Sequence, residues 1–369
     1  MPANNRGRMP LIDALKALCC LLIVMHHLAI YGPMPEFAYP LIPGLIDWLG
    51  EYGRIAVQLF FVSAGFLCAA KYAPQGLAQV TNPIPHIRRR YLRLITPYLA
   101  VLILAIVSAA VARIWMQNES IPGVPNLFQL FAHIFLLHNL LNQEVLSAGI
   151  WYVAIDFQLF ALTVMVLWTA NRMQDRFPDL KMLALILIFG LTTVSLFFFN
   201  RDSHWDNTAL YFFGSYGMGA LVYWAAVSEY RVLGFFVLIA VIVAALTVEF
   251  RSRIAVAGSV MLLLGAAQHF GFLYSQRMPG WLTYLGRASY SIFLIHFPVL
   301  LIVNAAFFKF LPHQSGIQLA GLLLALSLST GAGVAVFSWL EVRPVSNRVR
   351  ILLPVGFVTS GVLAMFAGG

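Results

Sequence analysis

The sequence predicts an all-α polytopic membrane protein of about 10–11 transmembrane helices with one short interfacial or re-entrant helix. Three observations carry that prediction. Of the 369 residues, 61% are hydrophobic and 10% are charged, and the mean hydropathy is +0.83, a balance that soluble globular domains do not keep. Apolar runs recur at about 17–25 residues, each long enough to cross roughly 30 Å of hydrocarbon. Lysine and arginine are also segregated between alternate connecting segments, as membrane topology requires.

In chain order the expected spans are 11–31, 53–72, 92–115, 149–170, 181–199, 208–227, 232–248, 254–273, 284–308, 317–340 and 351–367. Residues 127–141 are too short to span and follow Pro122 and Pro125, so they read as the interfacial or re-entrant helix. Residues 1–345 form the main transmembrane domain and 346–369 an additional C-terminal transmembrane helix. With a cytoplasmic N-terminus, seventeen of the 23 Lys and Arg residues fall on the cytoplasmic side; the six others are Arg54, Arg113, Arg201, Arg251, Arg253 and Lys309. The net charge of +9 is thus mainly a topology signal, and no solvated basic domain is available for nucleic acid. The first span lacks a small-x-small cleavage site and carries Asp13 and Lys16, which marks an uncleaved anchor. Cys19, Cys20 and Cys68 lie inside apolar spans without metal-ligand spacing, and no metal is expected.

Ionisable groups at membrane depth are costly and usually functional, and the first span carries several. At 100° per residue, Lys16 lies about 60° and His27 about 40° from Asp13, so His27 projects between them while His26 looks out of the stripe. Arg88, Arg89, Arg90 and Arg93 enter the third span from a loop containing Pro83 and Pro85. Such a guanidinium cluster at a helix N-terminus suits a phosphorylated ligand, or anionic lipid headgroups and topological anchoring. Asp156, in the run Trp151–Asp156, needs a partner inside the fourth span: a cation, a histidine to orient, or a neighbouring helix. In the ninth span Ser289 and His296 share a stripe, with Tyr290 beside Ser289 and Pro298 after His296. Glu341 closes the tenth span, placed to bond into the arginines or to cap the interface. His133 and His138 read as a wetted face of the outer segment, His204 and Trp205 as a short outer loop, and His269 as an interhelical hydrogen-bonding residue.

Together these segments resemble the bacterial membrane-bound acyltransferase-3 family, whose members O-acylate cell-surface glycans and some small molecules. The resemblance is carried by Asp13-Ala14-Leu15-Lys16 with His27, FFVSAGFL (Phe60–Leu67), RRRYLRLITPYL (Arg88–Leu99), WYVAID (Trp151–Asp156), GRASYSIFLIHFP (Gly286–Pro298) and Glu341–Pro344. It implies that acyl-CoA docks from the cytoplasm on Arg88, Arg89, Arg90 and Arg93, with Ser289, Tyr290 and Glu341 assisting. It implies that His27 is the catalytic group, which could act as general base on the acceptor hydroxyl or accept the acyl group itself. Asp156, Lys16, Asp13 and His296 are the candidate residues that support it, Asp13 lying about 20 Å away along the axis and so unable to orient the ring directly. The acceptor hydroxyl then arrives from the outer side, selected by segments 32–50 and 115–148. The chain departs from the usual pattern in carrying Lys16 for arginine and Asp156 for glutamate, and Ser63 is slightly displaced.

The expected activity is transfer of an acyl group, with acetyl the leading case, from acyl-CoA to a glycan or lipid-linked sugar in the bacterial inner (plasma) membrane. Donor and acceptor are substrates; no cofactor is held permanently. Membrane lipids are the other expected partners, and a homo-oligomer is compatible with the sequence. The alternative is a multi-pass exporter of glycan or small-molecule intermediates, using the buried ionisable groups as a path.

Overall fold

The computed structural model describes residues 8–274, 277–343 and 345–368; Pro344, the last residue of the run Glu341–Pro344, lies outside them. The described residues are helical with no strand, as intrahelical hydrogen bonding of the backbone in lipid demands. The helices are α1 (Pro10–Ile30), α2 (Met34–Ala38), α3 (Pro43–Tyr52), α4 (Val57–Tyr72), α5 (Ile84–Trp115), α6 (Leu127–Ile134) and α7 (Trp151–Arg176). They continue as α8 (Leu183–Phe197), α9 (Ala209–Val227), α10 (Arg231–Val248), α11 (Ser252–His269), α12 (Gly280–Phe310), α13 (Ser315–Val336) and α14 (Asn347–Gly368). Among the described residues, ten helical segments are long and apolar enough to cross a membrane, α14 included. The protein is a multi-pass membrane protein. The expected span 254–273 is not among the ten: α11 stops at His269, and Arg253, Gln268 and His269 make its ends polar. His269 is exposed, and among the described residues its ring meets the adjacent Phe270 and makes no interhelical hydrogen bond.

The chain divides into two compact units. The first comprises Met1–Lys16, Ile55–Tyr91 and Ile155–Tyr284. Its centre is α9, buried along nearly its whole length against α4, α8, α10 and α11. Lipid gives no hydrophobic drive for helix association, so close packing of small residues and interhelical hydrogen bonds must supply it. A Cβ at Gly65 would collide with the Tyr216 carbonyl, and one at Gly219 with the Val62 carbonyl, which lets the α4 and α9 backbones touch. Ser215 donates to Gln58 across the same seam at 2.6 Å. At the end of α8, Arg251 donates to Glu249 (2.7 Å), to the Arg201 carbonyl (3.1 Å) and to the Asn200 carbonyl, while Arg253 bonds the Tyr211 hydroxyl. Arg201 itself reaches the Ala245 carbonyl at 3.0 Å. Three of the six basic residues that break the expected charge pattern therefore serve as clasps for connecting segments.

The second unit comprises Ala17–Arg54, Leu92–Ala154 and Leu285–Gly369. Here the expected outer segment 32–50 is largely helical. Asn304, fully buried on α12, accepts from the Met34 amide at 3.1 Å and donates to the Leu300 carbonyl at 3.2 Å, which pins the start of α2. α2 then packs on α13. The segment 127–141 is a single short helix, α6, followed by turns. Asn126 and Gln129 close a capping box at its start, and Leu130 packs against Gly361 of α14.

His133 and His138 are a correction to the sequence reading: neither is wetted, and both are fully buried. Their rings stack at 4.3 Å and 8°. The wet-face expectation assumed that the polar residues of an amphipathic segment face water. Here Leu127, Phe128, Phe131 and Phe135 are the exposed residues instead, as suits a helix with lipid on its outer side. His133 donates from Nδ1 to the Gln129 carbonyl (2.7 Å) and accepts the Leu146 amide at Nε2 (3.4 Å). His138 has the Ile150 carbonyl beside it without closing a hydrogen bond of normal geometry.

Burial pushes the His133 pKa down to about 4 and that of His138 down to about 3. Protonation therefore favours the unfolded chain. Stability is complete above the unfolded histidine value near 6.5 and is lost as pH falls through 4 and then 3. At about 1.36 kcal/mol per pKa unit, that is worth roughly 3 kcal/mol at His133 and roughly 5 kcal/mol at His138 over that range. Thermal unfolding in lipid nanodiscs is expected to show a marked fall in midpoint between pH 7 and pH 4, reduced in a His138→Phe variant.

Candidate active site

α1 and α12 bring two imidazoles together in the second unit. His27 and His296 are 7% and 0% exposed, and His27 Nδ1 lies 2.7 Å from His296 Nε2. The ring planes differ by 8° with centroids 4.8 Å apart, the geometry of an in-plane, head-to-tail hydrogen bond. His296 Nδ1 in turn lies 2.5 Å from the Phe293 carbonyl. A carbonyl only accepts, so His296 carries its proton on Nδ1 and, in the uncharged pair, accepts at Nε2. His27 then donates from Nδ1, which leaves its Nε2 with a lone pair. That nitrogen makes no hydrogen bond among the described residues.

Local sequence explains why the pair is held. Ser329 donates to the His296 carbonyl at 3.5 Å, and Gly333 leaves room for the α12 backbone at Ile292. Pro298 lacks the amide that would bond the carbonyl four residues earlier, within the turn that carries His296. Aromatic rings wall the pair: Tyr31 meets His27 at 5.5 Å, Phe297 meets Tyr31 at 5.3 Å edge-on, and Tyr152 meets Phe293 at 5.5 Å edge-on. His26 is buried too, and its Nδ1 bonds the Leu49 carbonyl at 2.8 Å, tying α1 to α3.

Gly149 completes the wall. Its φ of +81° belongs to glycine, and a Cβ there would sit 2.9 Å from Phe293 and 3.3 Å from His27 Cε1. A Gly149→Ala variant is therefore expected to lose about 1–2 kcal/mol of stability and at least about 10-fold in activity through displacement of the His27 ring. Thermal unfolding and steady-state transfer assays check the two effects separately.

Other expected site residues find different partners. Asp156 is the buried carboxylate of an ion pair with the partly exposed Arg90, and the Arg90 guanidinium lies over Phe160 at 5.4 Å. Of the open choices for Asp156, the cation is realised and with it the tie between two helices, since Arg90 lies on α5 and Asp156 on α7; the ring of His27 bonds His296 instead. Asp13 pairs with Arg8 at 3.4 Å, and Lys16 is half-buried on the same helix. Ser289 is buried, and its carbonyl accepts from the Cys20 thiol at 3.2 Å. Tyr290 donates to the Leu94 carbonyl at 3.0 Å. Glu341, in a π-helical segment (Phe337–Glu341), accepts from Ser291 and feels the Arg93 charge. Tyr290 and Glu341 thus join helices through their side chains, and Ser289 does so through its backbone carbonyl.

The arginine cluster was expected in a loop, but α5 begins at Ile84, so all four arginines are helical. Arg88, Arg89 and Arg93 are exposed and make no ion pair among the described residues. Gly149 and Tyr31 were not singled out from the sequence, and Tyr152 and Phe293 entered only as members of the runs Trp151–Asp156 and Gly286–Pro298; the glycine shortly before Trp151 offered a local signal. No group of three metal-ligating side chains occurs among the described residues.

The chain matches the acyltransferase-3 family, described as an acyltransferase domain, over residues 10–340. The chain belongs to the acyltransferase-3 family. That match covers both histidines, the Arg90–Asp156 pair and Gly149, and it makes the protein a multi-pass membrane acyltransferase. No curated protein and no solved structure gives a significant match.

Proposed function

We propose that this acyltransferase-3 protein moves an acyl group, in the first instance acetyl, from cytoplasmic acyl-CoA to a hydroxyl of a cell-surface or lipid-linked glycan, in a bacterial inner membrane with its N-terminus in the cytoplasm. The observation that carries the reading is the buried His27–His296 pair with its proton order set by the Phe293 carbonyl. A lone pair at His27 Nε2, on a ring held in place by a hydrogen bond at its other nitrogen, is what a general base needs.

In the proposed reaction His27 Nε2 takes the proton of the acceptor hydroxyl as its oxygen attacks the thioester carbonyl. The C–S bond breaks, the imidazolium returns the proton to the departing thiolate, and the products are an O-ester and free CoA. His296 accepts the hydrogen bond from the His27 Nδ1–H throughout and stabilises the imidazolium, as the orienting group of a catalytic triad does. Arg88, Arg89 and Arg93 supply exposed forked donors for the donor's phosphates. Asp156 holds Arg90 in place.

Purified protein given radiolabelled acetyl-CoA and oligosaccharide acceptors tests this directly. Wild-type transfer with loss of about 10²-fold or more in a folded His27→Ala variant is the expected result. Full transfer by that variant would remove His27 from the chemistry.

A further inference from the structure

We infer that Lys71, His86 and Arg89 form the site that grips the phosphate groups of the donor's nucleotide half, with Tyr72 as the residue that positions them. The inference rests on the acyl-CoA reading above and extends it to residues outside the arginine run.

The site lies where the C-terminal end of α4 meets the first turns of α5, within the first unit. The connecting segment is packed: Ala73 and Val80 are fully buried. The Tyr72 carbonyl accepts from the Gln79 amide at 3.0 Å, and the Ala73 carbonyl accepts from the Trp224 indole at 2.7 Å. The two helix ends are therefore held in fixed register. Tyr72, itself buried against Phe160 at 5.8 Å, gathers an ammonium from α4 and an imidazole from α5. The Lys71 ammonium lies over its ring at 5.1 Å, and the His86 ring meets it edge-on at 5.0 Å. Arg89 follows His86 by three residues on α5, one turn along the same face, and the Lys71 and Arg89 charges both act on His86.

Among the described residues no carboxylate forms an ion pair with Lys71, Arg88 or Arg89, and the acid of this neighbourhood, Asp156, is committed to Arg90. Like charges brought together without a counterion repel, so the arrangement is relieved by a multiply charged anion. The guanidinium fork, the compact ammonium, an imidazole N–H and the α5 N-terminus are together suited to phosphate oxygens. A phospholipid headgroup offers the same chemistry, and the test separates the two sources.

Full-length protein in zwitterionic phosphatidylcholine nanodiscs would be titrated with CoA and with 3′-dephospho-CoA, and wild type compared with Lys71→Ala, Lys71→Arg and Tyr72→Leu. The expected result is CoA binding weakened about 10-fold in Lys71→Ala, restored in Lys71→Arg, and weakened in Tyr72→Leu although every cation remains. Equal CoA affinity in wild type and Lys71→Ala overturns the inference and leaves the donor reading standing. Equal CoA affinity combined with loss of stabilisation by phosphatidylglycerol assigns the cluster to lipid and overturns it as well. Absence of CoA binding by wild type sinks the donor reading and this inference with it. Unchanged unfolding midpoints without ligand confirm that the variants are folded.

Discussion

A His296→Phe variant is expected to lose about 10²–10³-fold in kcat with little change in acceptor KM. Phenylalanine retains the volume and the aromatic contacts at this buried position but removes both ring nitrogens. His27 Nδ1 then has no acceptor, and nothing selects the tautomer that leaves Nε2 unprotonated. The Phe293 carbonyl also loses its His296 Nδ1 donor, at a cost of about 1–3 kcal/mol. The kinetic and stability effects are separable. A His296→Gln variant can still donate and accept, so it is expected to recover part of kcat. Steady-state transfer with unfolding midpoints in parallel decides the matter. Wild-type kcat in folded His296→Phe would show that the pair's proton order does not matter to the reaction.

Asp156→Ala is expected to be the most destabilising single polar substitution in the first unit. Its carboxylate is almost fully buried, and its partner Arg90 is about one-third exposed. Removing one member of such a pair leaves a charge without compensation, at about 3–5 kcal/mol for a fully buried partner. The exposed fraction of Arg90 places the expected loss nearer 2–3 kcal/mol. Replacing both, as Arg90→Met with Asp156→Leu, is expected to recover most of that loss, because the pair's attraction largely offsets its own desolvation. A double-mutant cycle on the unfolding midpoint measures the coupling. Strict additivity of the two single effects would show that the pair contributes nothing specific.

Helix positions were legible because the length and polarity of an apolar run are local properties, and α1, α9, α10 and α14 lie close to their expected bounds. The departures fall where local pattern and tertiary context disagree. Segment 32–50 contains Pro33, Pro35, Pro40 and Pro43, which suggest a loop, yet proline at the first turn of α2 and α3 starts those helices. The residues of the 127–141 segment were read for a water-facing side. Lipid outside and protein inside reverse that assignment, which is why His133 and His138 are interior. His27 was singled out from its stripe on one helix, but its partner lies 269 residues away, beyond any periodicity argument.

The sequence by itself determined a many-helix membrane protein, the histidine at depth in its first span, and a basic entry to α5. These follow from hydrophobicity, helical geometry and the cost of charge in lipid. Only the tertiary structure decided that His296 orders the protons of His27, that Asp156 engages Arg90, and that Lys71 joins His86 over Tyr72. A hydrogen bond or ring contact needs its two groups within a few ångströms in a particular orientation. Helix packing sets that distance, and one strand of letters does not contain it.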